Sequence, residues 1–229
     1  MLTAAELAIV ALSLKVALVA TLLSLPFALG IAWILARKTF AGKSLLNIFV
    51  HLPLVLPPVV TGYALLLLFG RQGPIGALLE TLFGVSIAFR WTGAALAAGI
   101  MGFPLMVRAI RLGLEAVDQG LEDVGATLGA SKWGVFWHVT LPLISPSILA
   151  GFVLGFAKAM GEFGATITFV ASIPAQTETL PSAIYTLLQV PGGEGAALRL
   201  ILLSIAISVI ALALSEYYAN RAIKKVSGQ

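Results

Sequence analysis

The sequence predicts an all-α integral membrane protein, a polytopic bundle of about five transmembrane helices. Three observations predict it. Of 229 residues, 59% are apolar and only 10% charged, against roughly 25% charged in an ordinary soluble domain. Five apolar stretches reach or approach the roughly 20 residues with which a helix crosses about 30 Å of hydrocarbon. The basic residues gather in alternate connecting segments, the asymmetry that orients membrane helices. Even an ordinary soluble surface is more than half apolar, and a chain with so few polar groups could not avoid exposing large contiguous apolar patches. A soluble globular enzyme, a disordered chain and a nucleic-acid binder are thereby excluded. The net charge of +4 reads as topology bias. With no cysteine in the chain, disulfides, thiolate-bound metal and thiol chemistry are excluded as well.

The first stretch, residues 7–36, is interrupted only by Lys15 and Pro26. It reads as one tilted helix and not as a secretory signal, because no basic residue precedes Lys15 while Arg37 and Lys38 follow the run. The second stretch is 45–69 and the third 92–107. The fourth runs from about 147 to 170 and carries Lys158 and Glu162. The fifth is 200–215. The third and fifth are short and must borrow flanking residues. Arg37, Lys38, Lys43, Arg108, Arg111, Lys132, Arg221, Lys224 and Lys225 fall on one side of five spans, and Arg71, Arg90 and Arg199 on the other. The richer side is cytoplasmic, so the N-terminus is expected outside and the C-terminus in the cytoplasm. Residues 1–229 read as a single membrane domain.

The second span holds Pro53, Pro57 and Pro58. Each proline removes a donor and frees a carbonyl that hydrocarbon cannot satisfy. Two readings follow: a translocation path beside this segment, or a kink satisfied by neighbouring helices. Ala94, Ala98 and Gly102 recur at a spacing of four, as do Gly151 and Gly155, and Ala157, Gly161 and Ala165. Rows of small residues let helices approach closely. Lys158 and Glu162 stand one turn apart, which suggests either an ion relay or a neutralised pair that locks packing; the pair alone makes a poor relay. His51 and His138 are too isolated for a metal site or a catalytic dyad. Gly42-Lys43-Ser44 resembles the end of a phosphate-binding loop, but that pattern needs glycine at position 37, which is arginine. The chain is therefore expected to lack an ATPase site of its own.

The segment 112–142 is long for a bare connector. Leu121, Val124 and Leu128 share one face of a short helix that Asp118 can cap and Gly129 can close. Ser131 can cap a second short helix through Trp137, and Pro142 and Pro146 follow. An amphipathic helix here is either a handle for a cytoplasmic partner or a helix lying on the membrane.

Asp123-Val-Gly-Ala-Thr-Leu-Gly129, nine residues, then Val139-Thr-Leu-Pro142 resembles the EAA loop of bacterial ABC importer permeases. The glycine and Leu-Pro match, while Asp123, Val124 and Gly125 replace Glu-Ala-Ala and Val139 replaces Ile. Four further segments, 51–60, 103–111, 161–169 and 181–189, are similar to the permease subunits of molybdate importers. Gly161-Glu-Phe-Gly-Ala165 is also similar in sulfate and tungstate permeases. The resemblance implies a type I ABC importer permease fold with its core at about 9–216, and transport of an oxyanion, molybdate first, with sulfate or tungstate as alternatives. It implies a homodimer in the cell inner membrane, an extracytoplasmic oxyanion-binding protein, and cytoplasmic ATPase subunits that use ATP and Mg. The permease itself would carry no cofactor and no catalytic residue. The expected coupling residues are Leu121, Glu122, Asp123, Val124, Gly125, Leu128, Gly129, Leu141 and Pro142. The expected pathway residues are Pro57, Pro58, Thr61, Glu162, Thr166 and Thr168, although each threonine can equally bond its own helix. A self-sufficient secondary anion carrier or channel is the alternative from another class.

Overall fold

The computed structural model describes residues 3–226. Among these residues every regular element is helical. Helix α1 (Ala4–Arg37) starts at a capping box, in which Thr3 and Glu6 satisfy each other's backbone N–H groups. It runs unbroken through Pro26 and ends one residue before Lys38. Its small residues Ala17, Ala20, Ala28 and Ala32 are buried against α5 (Trp91–Ala116), which is the centre of the bundle. The span read at 92–107 is thus longer than its apolar run, ending at Ala116, just over one turn into the segment 112–142.

The other face of α5 receives α8 (Leu141–Met160). Here the small-residue rows act as close-contact seams. A β-carbon on Gly102 would lie 3.1 Å from the Gly155 carbonyl oxygen, and one on Gly155 would lie 2.7 Å from Met106 Sδ. Such seams supply the van der Waals contact that lipid-exposed helices lack a hydrophobic force to obtain.

The stretch 45–69 is not one continuous helix. It divides into α2 (Lys43–Val55) and α3 (Pro58–Phe69), bent by 112°. Pro53 is accommodated inside α2, whereas Pro57 and Pro58 form the break and open α3, where a missing N–H costs nothing. Among the described residues, four helices are long and apolar enough to cross a bilayer, and up to five crossings result if the bent pair counts as one.

The fourth stretch also divides. Lys132–Met160 is one helical run of 29 residues, composed of α7 (Lys132–Val135), a π turn (Phe136–Thr140) and α8. The run passes through Pro142 and Pro146, which do not interrupt it. The π turn sits where Pro142 has no N–H to donate, and Leu141 N–H instead reaches back to Phe136 O. The chain then breaks at residues 161–163 before the short α9 (Gly164–Val170). Ala157, Gly161 and Ala165 therefore do not form one helical row.

Three short helices complete the fold: α4 (Pro74–Phe83), α6 (Gln119–Thr127) and α10 (Leu180–Leu188). Helix α11 (Glu194–Val226) is the last element among the described residues and packs on α8 and α10. At the outer end, Glu6 of α1 pairs with Arg199 of α11 at 2.8 Å, and the Ser13 hydroxyl accepts from Leu180 N–H at 2.7 Å.

Candidate coupling surface and translocation path

Two constellations stand out, one around α6 at the Arg37 end of α1 and one inside the bundle. The first is built on α6. Asp118 Oδ1 accepts from Gly120 N–H at 2.9 Å, and Ser131 Oγ accepts from Gly134 N–H at 3.1 Å. Gly129 holds φ +87°, the left-handed region in which a β-carbon is disfavoured. These local signals end α6 and reverse the chain onto α7. Gly125 permits the close return: a β-carbon there would lie 3.3 Å from Val135 Cγ2 and 3.6 Å from Val139 Cγ2.

No residue of α6 is buried. Leu121 and Val124 are more than half exposed or close to it, Leu128 is 83% exposed, and Trp133 and Trp137 extend the apolar surface beside them. Asp123 is exposed as well. Glu122 differs from its neighbours. Its Oε1 accepts from Arg37 Nη2 at 2.9 Å and from the Thr140 hydroxyl at 2.7 Å. Glu122 thus points toward the bundle, and Leu141 and Pro142 begin α8 behind it.

The second constellation joins α3 to α9. A β-carbon on Gly164 would lie 2.7 Å from Pro58 Cβ, and one on Gly62 would lie 2.5 Å from the Ala165 carbonyl oxygen. The two helix starts are thereby held in contact. Glu162 is buried in the break before α9; its Oε2 accepts from Lys158 Nζ at 2.7 Å and its Oε1 from Ala165 N–H at 3.0 Å. One carboxylate thus balances a lysine and caps a helix. Thr166 donates to Glu162 O and Phe163 O, and Thr168 to Gly164 O. Both hydroxyls are spent on their own backbone. Thr61 is different: its Oγ1 is buried without a hydrogen-bond partner. Pro57 and Pro58 are exposed at the bend.

His51 and His138 each bond a carbonyl one turn back through Nδ1, at 2.9 Å. The sequence reading did not single out α4, and it noted 181–189 only for its family resemblance and not as the helix α10. Pro74 and Pro181 at their first turns were the available signals.

The Lys158–Glu162 geometry yields a prediction. Glu162→Ala strips the cap and leaves an ammonium without a counter-ion, which should cost about 3 kcal/mol. Lys158→Met combined with Glu162→Gln leaves no charge and keeps an amide oxygen for Ala165 N–H. The double variant should retain most of its thermal stability and uptake, measured by melting in detergent and by anion accumulation in vesicles. Complete loss of uptake in a stably folded double variant would instead place the pair on the pathway.

Comparison with known proteins fits this architecture. The family model for the binding-protein-dependent transport system inner membrane component matches residues 9–224. The chain belongs to that family. Among curated members, it is 58% identical to the molybdenum transport system permease protein ModB of Escherichia coli strain K12, over 92% of both chains. It is 53% identical to the Haemophilus influenzae protein of the same name, over 96% of both. A sulfate transport system permease protein, CysW of Synechococcus elongatus, is 42% identical over 74% of this chain and 59% of its own. Solved structures of ABC transporters are close in shape though distant in sequence. A bacterial ABC transporter that imports alginate superposes with a TM-score of 0.75 at 14% identity, covering 96% of this chain and 80% of that one. The inward-facing methionine ABC transporter MetNI superposes at 0.67 and 13% identity, covering 96% and 99%. The family fold is thus that of a multi-pass transport subunit in a membrane.

Proposed function

We propose that this chain is the permease subunit of an ATP-driven importer that carries molybdate across the cell inner membrane. The observation that carries this reading is the identity of 58% and 53% to two molybdenum permeases over more than nine-tenths of every chain involved. The sulfate relative is more distant and longer. Two copies would enclose the path, with a binding protein delivering the anion outside and ATPase subunits, using ATP and Mg, gripping α6 below. Their closure and release would rock the two copies between outward and inward states.

The geometry supports a division of labour among the candidate residues. The exposed face of Leu121, Val124 and Leu128 suits an ATPase groove. In the path, Thr61 offers a buried hydroxyl with spare bonding capacity, suited to an anion passed between neutral donors. Thr166 and Thr168 are less suited, since their hydroxyls are occupied. Glu162 is suited to holding α9 in place and would repel a dianion.

The test is reconstitution in proteoliposomes with the cognate ATPase and binding protein. Molybdate should stimulate ATP hydrolysis and accumulate inside only when ATP is present. Preferential stimulation by sulfate or tungstate would reassign the substrate. Accumulation without the ATPase would replace the importer by a secondary carrier.

A further inference from the structure

The EAA-like segment contains one residue that does not belong to its exposed face. Glu122 lies between Leu121 and Asp123, both exposed, yet its own side chain is three-quarters covered and turned toward the bundle. A single oxygen, Oε1, receives two donors from two different elements. Arg37 is the last residue of α1, and its side chain is only 12% exposed. Thr140 is buried in the π turn that leads into α8. Arg37 also complements the negative end of the α1 dipole, so its orientation is favoured before Glu122 arrives. Beside this joint, Gly125 seats α6 directly on Val135 and Val139.

The far end of α1 is tied as well. Ser13 accepts from the first N–H of α10, and Glu6 pairs with Arg199 of α11. The helix between these ties is unbroken over 34 residues. A displacement of α6 therefore has a continuous mechanical route: through Glu122 to Arg37, along α1 to α10 and α11, and through Thr140 into α8.

We propose that the Arg37–Glu122–Thr140 junction is the joint that transmits motion of the coupling helix to the membrane helices, with Glu122 as a positioning residue and not a contact to the ATPase. This rests on the reading of α6 as the ATPase docking element. It divides the segment into a gripping face (Leu121, Val124, Leu128) and a transmitting face (Glu122, Gly125). Loss of the joint should leave docking intact and let ATP hydrolysis run without transport.

The test uses the complete importer in proteoliposomes, with ATPase co-purification, ATP hydrolysis and molybdate import measured on the same preparations. Glu122→Gln removes the charge at constant size. It should bind the ATPase as the unaltered permease does, and should raise ATP hydrolysed per molybdate imported roughly tenfold, within the usual range of a coupling between sites. Thr140→Val keeps the ion pair and should give an intermediate ratio. The exchange Arg37→Glu with Glu122→Arg should recover much of the loss that each single exchange causes, a rescue that guards against simple misfolding. The proposal is overturned if Glu122→Gln weakens ATPase binding at an unchanged ratio, which would make Glu122 a groove contact. It is equally overturned if the ratio stays unchanged throughout. An unaltered permease that imports no molybdate would sink the functional reading before any variant is compared.

Discussion

Replacing Val124 and Leu128 together by serine should abolish ATPase association and uptake while leaving the permease folded in the membrane. Both side chains are exposed, and nothing in α6 contributes to the buried core. The substitution therefore removes apolar surface that only a partner can cover. Central apolar contacts of a docking interface are worth about 2 kcal/mol or more each. Losing two weakens binding by about a thousandfold. Serine keeps the helix neutral, so Asp118, Glu122 and Asp123 are not joined by another charge. The measurement is co-purification of the ATPase at graded concentrations, paired with a melting curve of the permease alone. Undiminished association would show that the ATPase grips another surface. In that case Trp133 and Trp137, exposed on the adjoining turns, would be the next residues to test.

Gly62→Val should have the opposite character, a fold lesion far from any cytoplasmic partner. A β-carbon at Gly62 would come within 2.5 Å of the Ala165 carbonyl oxygen and 2.9 Å of its α-carbon. Both are backbone atoms, so no side-chain rotation relieves the overlap. Helices α3 and α9 must separate, and Gly164 would lose its seat on Pro58. Overpacking of this kind costs about 1–3 kcal/mol, with backbone clashes toward the upper end. The permease should melt well below the unaltered protein in detergent and accumulate poorly in the membrane. Gly30→Ala is the control. It is helical and exposed, with open space where the β-carbon would sit, so it should melt at or slightly above the unaltered protein. An unchanged melting point for Gly62→Val would mean that the α3–α9 contact is not part of the stable fold.

The legible parts of this protein were those written locally. Asp118, Gly129 and Ser131 are short-range signals: α6 starts and stops where they place it, and α7 starts after Ser131, although the helix it opens runs on to Met160 instead of ending near Trp137. Four long apolar helices were equally readable, since span length is set by the bilayer and not by tertiary context. What failed was continuity. An apolar run from 45 to 69 carries no record of direction, and the 112° bend depends on how Pro58, next to the break at Pro57, docks against Gly164. Residues 147–170 concealed a break for a related reason. Lys158 and Glu162 meet at 2.7 Å across a terminated helix, just as they would within an intact one. Glu122 was readable as a member of the segment but not by role, because its partners are 85 residues back and 18 residues on.

Helix α1 has a property that concerns its solvent more than its neighbours. Lys15 Nζ sits 3.7 Å over the ring of Trp91, and Lys38 Nζ sits 5.1 Å from that of Trp33. Lysine and tryptophan together favour the headgroup level at each membrane surface. From Lys15 to Arg37 the helix rises about 33 Å, at 1.5 Å per residue, close to the roughly 30 Å of hydrocarbon in an average bilayer. The turns before Lys15 then stand beyond the acyl chains, where Ile9 and Val10 are sheltered by Leu180, Ala183 and Leu200. The helix thus carries two anchoring belts at a fixed separation, like marks on a ruler. A bilayer a few ångström thicker or thinner pulls one belt out of register, at a fraction of a kcal/mol per ångström. Because the same helix is pinned at Arg37 and Glu6, a tilt that relieves such a mismatch would carry both ends of the bundle with it.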